Sequence, residues 1–188
     1  MTAESENGYP HVPAAARTVH IGGLTRSQLR QSLQNAGISL NAYAEELFAD
    51  ERFTTSDQPH TVETVELTVG ELGFMDGAAA GEIFKQASAL GLAACPLELA
   101  PHLRLQYTDQ PEGSAERSVQ HEAPHASITV ASEPLSECDD FPKGFYLRNI
   151  DGVLWLRGYR ADAVHVWNAW DRFVFARQTD WQGNRHES

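Results

Sequence analysis

Two hydrophobic periods alternate along the chain, and the places where one gives way to the other mark its elements. From Thr25 the period is helical: Leu29, Leu33 and Ala36 recur at helical intervals, Thr25 and Gln28 have capping-box spacing, and Gly37 supplies a stop. Leu40, Tyr43, Ala44, Leu47 and Phe48 form a second stripe opposite Glu45 and Glu46, with Ser39 or Asn41 as the cap. After the polar loop Thr54 to His60, the period changes to two: Val65, Leu67 and Val69 alternate with Thr64, Glu66 and Thr68, the pattern of a strand. Thr68 and Glu71 can cap a single turn ending at Gly73. A third helix is expected from Asp76, with Ile83, Phe84, Ala87 and Leu90 on its apolar face and Gly91 at its end.

Beyond Cys95 the spacing predicts a short turn closed by Pro101, then a strand His102 to Tyr107 in which Leu103, Leu105 and Tyr107 alternate with Arg104 and Gln106. Residues 108 to 126 and 136 to 144 read as acidic loops on either side of a short strand Ser127 to Ala131. The strongest local signal is FYLRNIDGVLWLRGY, residues 145 to 159, where Asp151-Gly152 joins two alternating strands in a type I′ hairpin. That turn fixes the register: Ile150 faces Val153, Arg148 faces Trp155, Leu147 faces Leu156 and Tyr146 faces Arg157. Val164 with Val166, and Phe173 to Phe175, predict two more strands. The apolar face of the hairpin is expected to be covered by Leu103, Leu105, Phe173 and Phe175 and by helix residues Leu29, Leu33, Leu47, Phe48, Ile83 and Phe84. This order gives an α+β fold, a largely antiparallel sheet with about three helices packed on one face. Residues 1–17 read as a disordered tail, 18–177 as a single domain and 178–188 as a polar tail.

Composition narrows the function classes. The formal net charge of -12 argues against non-specific nucleic-acid binding, which depends on cations meeting phosphates. Two distant cysteines, Cys95 and Cys138, no secretory pattern and no apolar run of membrane length point to a cytoplasmic protein with free thiols and no membrane partner.

The phrases CPLELAPHLRLQY, DQPEG, ITVASEPL and GFYLRNIDGVLWLRGYRA are similar to those of a family of uncharacterised bacterial proteins, over about Leu24 to Arg177. The resemblance implies no established activity. Some of those relatives carry a helicase-like label, to which this sequence gives no support: its two lysines, Lys85 and Lys143, do not follow glycine, so no GxxxxGK[ST] phosphate loop exists.

The strongest candidate chemistry is the polar face of the hairpin, Tyr146, Arg148, Trp155, Arg157 and Tyr159, joined by Arg104 and Gln106 from the preceding strand. Arginine offers a rigid fork to phosphate or carboxylate, and the rings offer flat apolar surfaces, so the face suits an anionic small molecule or a partner protein. The same pairs also stiffen an exposed sheet with no ligand at all. The alternative is a hydrolase or transferase acting on a phosphorylated or carboxylated substrate, with Glu98 as acid or base, His102 beside it and the arginines as clamp. Pro101 is expected to break the helical spacing of Glu98 and His102. His121 and His125 are separated by three residues but enclose Pro124, and no GxSxG, HExxH or Rossmann pattern occurs, so neither metal nor cofactor is expected.

Overall fold

The computed structural model describes residues 15–113 and 126–178. The elements in chain order are β1 (Ala15–Ile21), α1 (Arg26–Asn35), β2 (Ser39–Leu40), α2 (Ala42–Ala49), β3 (His60–Thr68), β4 (Ala78–Ala79), α3 (Ala80–Ala89), β5 (Leu92–Ala93), α4 (Leu99–Gln106), β6 (Ile128–Val130), β7 (Gly144–Ile150), β8 (Val153–Tyr159), β9 (Val166–Trp167) and β10 (Arg172–Arg177). An eight-stranded sheet runs β1-β3-β10-β6-β7-β8-β2, with β5 added to β10; only β10–β6 and β2–β8 are parallel. The class is α+β, as the period changes predict. Among the described residues, no helix is long and apolar enough to cross a membrane.

Strand β10 separates two cores. Its Val174 and Ala176 join the layer containing α1, α2 and α4, with Leu29, Leu33, Leu47, Phe48, Leu103, Phe145, Leu147 and Leu156. Its Phe173 and Phe175 point the other way, into a layer with Val65, Leu67, Ile83 and Trp167, which α3 covers. Three helices thus lie on one face and a fourth on the other. The expected covering of the hairpin is corrected accordingly: Phe173, Phe175, Ile83 and Phe84 belong to the opposite layer. The run Phe173-Val174-Phe175 is apolar on both sides because this strand is central, so alternation could not say which side each ring takes.

Local chemistry explains most boundaries. Thr25 caps α1 reciprocally with Gln28, and Gly37 follows with a positive φ. Thr68 and Glu71 cap each other's amides as expected, at 2.7 and 3.1 Å. The hairpin register is as read, and Asp151 and Gly152 both have positive φ, as a type I′ turn requires. The third helix begins at Ala80 rather than near Asp76; Gly77 has a positive φ, and a Cβ there would come within 2.4 Å of the Trp167 carbonyl, where β4 pairs with β9. Order begins earlier than expected, since Ala15, Ala16 and Arg17 pair with Glu66, Val65 and Thr64. The other tail residues, the loop residues 114–125 with His121 and His125, and 179–188 lie outside the described residues.

The largest correction concerns 102–107, which form the second half of helix α4 instead of a strand. Pro101 does not break this helix because it sits in the first turn, where a backbone N–H has no intrahelical acceptor anyway.

One contact fixes how α2 meets the sheet. Asn41 caps α2 by accepting from the Ala44 amide, and its side chain also clamps the Gly158 backbone at both N and O, at 2.8 and 2.9 Å. There is no room for a side chain: a Cβ on Gly158 would lie 2.6 Å from the Tyr43 carbonyl carbon. We therefore expect Gly158→Ala to destabilise the fold by about 1–3 kcal/mol, measured as a lower urea midpoint with an unchanged slope.

Candidate functional site

Arg104 decides which of the expected site residues come together. Its α4 position places it among Leu99, Ala100 and Leu103 on the side facing the helix-covered core, where it is fully buried. Its guanidinium donates to Gln110 Oε1 at 2.5 Å, to the Tyr107 carbonyl, and at 3.4–3.5 Å to the carbonyls of Trp155 and Arg148. Burial lowers it to about 10, which leaves it charged at neutral pH. Carbonyl dipoles, including that of Tyr107 at the end of α4, stand in for a carboxylate. Gln110 completes the hub: it donates to the carbonyls of Ala126 and Leu147 and is itself buried, although it lies in a segment that reads as a mobile loop. Arg104 is therefore not part of the hairpin's polar face but lies under the opposite one.

Gln106 is likewise displaced. Glu98, the residue just before α4, and His102 and Gln106 within it stand four residues apart along one side of the helix, and each binds backbone. Gln106 spans His20, accepting from its amide at 3.0 Å and donating to its carbonyl at 2.7 Å, which occupies the outer edge of β1. His102 Nε2 accepts from the Gly22 amide at 3.2 Å, and Glu98 Oε1 accepts from the Ser56 amide at 2.9 Å. Both acid–base groups are buried, at 4% and 5% exposure, with burial pushing Glu98 up and His102 down. A cleft of about 590 Å³ opens beside them, lined by His20, Gly22, Pro59, His60, His102 and Gln106. Sequence reading missed His20 and His60, which reach the cleft only because β1 and β3 pair Ile21 with His60.

The hairpin's polar face keeps the five remaining residues. Tyr146, Arg148, Trp155, Arg157 and Tyr159 alternate with the core residues Phe145, Leu147 and Leu156 and are all half-buried. Arg157 Nε donates to the Tyr146 hydroxyl at 2.9 Å, and its guanidinium lies 5.0 Å from the Trp155 ring centre. Although Arg148 is the cross-strand partner of Trp155, it is Arg157, two residues on along the same strand as the ring, that takes it. The Arg148 Nε is buried without a partner among the described residues. Tyr146 and Tyr159 lie 6.4 Å apart, and Tyr159 meets Trp167 edge-on at 5.6 Å, so the aromatic surface continues into the α3 layer. Burial pushes the Tyr159 phenol up and keeps it neutral.

Glu98 and the two arginines therefore lie on opposite sides of the sheet, and the combined acid–base and arginine-clamp site does not form. Among the described residues, no group of three His, Cys, Asp or Glu side chains could hold a metal ion. A further groove of about 670 Å³ is lined by Glu66, Tyr107, Gln110, Trp170 and Arg172, with a 3.0 Å Arg172–Glu66 pair and Trp170 exposed at 62%. No known family model, curated protein or solved structure matches the chain.

Truncating the hub removes the Arg104 donor from the Gln110 side chain and the Tyr107 carbonyl and leaves a void in the core. Arg104→Ala is expected to cost about 3 kcal/mol or more, and Arg104→Lys, which keeps the charge but loses the fork, an intermediate amount, both read from denaturant midpoints.

Proposed function

We propose that this is a cytoplasmic binding protein of the bacterial family its motifs resemble, and that the open face of β7 and β8 takes an anionic small molecule or an acidic segment of a partner protein. The observation that carries this reading is charge without a counterion. Arg30, Arg52 and Arg172 each meet a carboxylate within 3.0 Å, whereas Arg148 and Arg157 meet none among the described residues. In a chain of net charge -12, two unneutralised guanidiniums on one half-buried surface form a local positive field. Trp155 and Tyr146 hold Arg157 from both sides, so little side-chain entropy is lost when it binds. The Arg148 Nε, without a partner among the described residues, adds a donor that a ligand group would satisfy. Phosphate or carboxylate is the chemistry matched by two such forks.

A thermal-shift series with inorganic phosphate, nucleotides, dicarboxylates and acidic peptides tests the reading. At roughly 100 times its dissociation constant, a true ligand stabilises by about 2.7 kcal/mol, which raises the midpoint by about 5 °C or more for a chain of this size. Arg157→Ala and Arg148→Ala should each abolish most of that shift. A shift that survives both substitutions would place the ligand elsewhere and end this assignment.

A further inference from the structure

On the other side of the sheet, the hydrogen bonds of α4 contain an asymmetry. His102 Nε2 accepts the Gly22 amide, so that nitrogen carries no proton and the neutral ring holds its hydrogen on Nδ1. Glu98 Oε2, in contrast, is buried with no partner among the described residues and lies 3.8 Å from the same Nε2. If Nε2 gained a proton it would become a donor, incompatible with the Gly22 N–H but close to an unoccupied acceptor.

We infer that Glu98, His102 and Gly22 form a two-position latch, in which neutral His102 holds the Gly22 amide and protonated His102 turns its Nε2–H to Glu98 Oε2 and releases Gly22. The ring exchanges one bond for another, so apart from the proton the two positions differ by little more than one amide given to water. Gly22 does not move alone, because Gly23 donates to the Ser56 carbonyl at 2.8 Å and couples the end of β1 to the loop that Glu98 also holds. Release would therefore open the mouth of the cleft that His20, His60 and His102 line.

The surrounding charges set the direction. Glu98 stands at the N-cap of α4 and Arg104 faces the core from within it; β1 brings His20 and Arg17, the latter stacked over Tyr107 at 3.7 Å; β3 brings His60. Helix α1 and strands β7 and β8 contribute Leu29, Leu33, Leu147 and Leu156 to the same core as α4. Burial, then the charge of His60, holds His102 below its ordinary value of 6.5. Because the folded state binds this proton more weakly than the unfolded one, the closed latch has its full stability above that value and loses it as the pH falls through the folded titration. Once His102 is charged, the adjacent carboxylate is favoured as an ion, so the two groups titrate together.

Amide hydrogen exchange followed by NMR on the full chain, between about pH 8 and about pH 5, tests the latch. After correction for intrinsic exchange, Gly22 protection should fall about ten-fold per pH unit below the His102 titration, while amides of β3 and β10 stay protected. His102→Gln retains an acceptor that does not titrate and should make the Gly22 profile flat. Glu98→Gln removes the anionic acceptor and should move the fall to lower pH, whereas His60→Ala removes a neighbouring charge that holds His102 down and should move the fall to slightly higher pH. A flat profile in the wild-type chain overturns the proposal, as does a fall that persists in His102→Gln or an unchanged midpoint in Glu98→Gln. Simultaneous loss of protection in β3 and β10 would mean global acid unfolding and would overturn it equally.

Discussion

A buried guanidinium without a carboxylate partner is the constraint around which this structure is arranged. Removing a cation from water costs several kcal/mol unless polar groups replace the lost hydration. Arg104 meets most of that demand through its two terminal nitrogens, with the Gln110 side chain and three backbone carbonyls, two of them at the paired positions Arg148 and Trp155 of the hairpin, while its Nε has no partner among the described residues. Satisfying all of them sets the end of α4, its distance from the sheet and the path of the chain through Gln110. The helix that results then directs its other polar stripe at β1. One charge thus positions both the cover of the hairpin's apolar face and the seal on the sheet's edge.

What the sequence revealed and what it concealed divide along the same line. The hairpin register, the capping box of α1 and the stop at Gly37 were legible because each is decided within a few residues by turn geometry or local hydrogen bonds. Helix α4 was not, since HLRLQY alternates as well as any strand and the reasons for helix lie elsewhere: acceptors on β7 and β8 for Arg104, and backbone on β1 for His102 and Gln106. Those partners are more than forty residues away. The side taken by Phe173 and Phe175 was hidden for a different reason, because a strand buried on both faces carries no polar mark to orient it. Of the site, the five residues on the hairpin were read from alternation alone, and the two on α4 were misplaced with their helix.

The correction separates two chemistries that sequence reading had merged. Arginines and aromatic rings occupy the face away from the three helices, where half-exposure leaves them available to a ligand. Carboxylate and imidazole occupy the other, where their first task is to hold Gly22 and Ser56. Each set can then be altered without touching the other, since the sheet, with Leu147 and Leu156 packed beneath it, lies between them. A residue type that suggests catalysis, such as Glu beside His, here has its capacity taken up mainly by backbone.

The position of β10 has a consequence for how the molecule is made. This strand lies between β3 and β6, so it joins β1 and β3 to the stretch β6-β7-β8-β2, and it supplies residues to both cores. Its partner Leu67 precedes Phe173 by more than a hundred residues. During synthesis neither layer can close until Val174 and its neighbours have left the ribosome, and until then β3 and β6 each present an unpaired edge. Closure of the sheet therefore waits on the synthesis of β10 and is paced by this long-range pairing rather than by the intrinsic speed of any helix or hairpin.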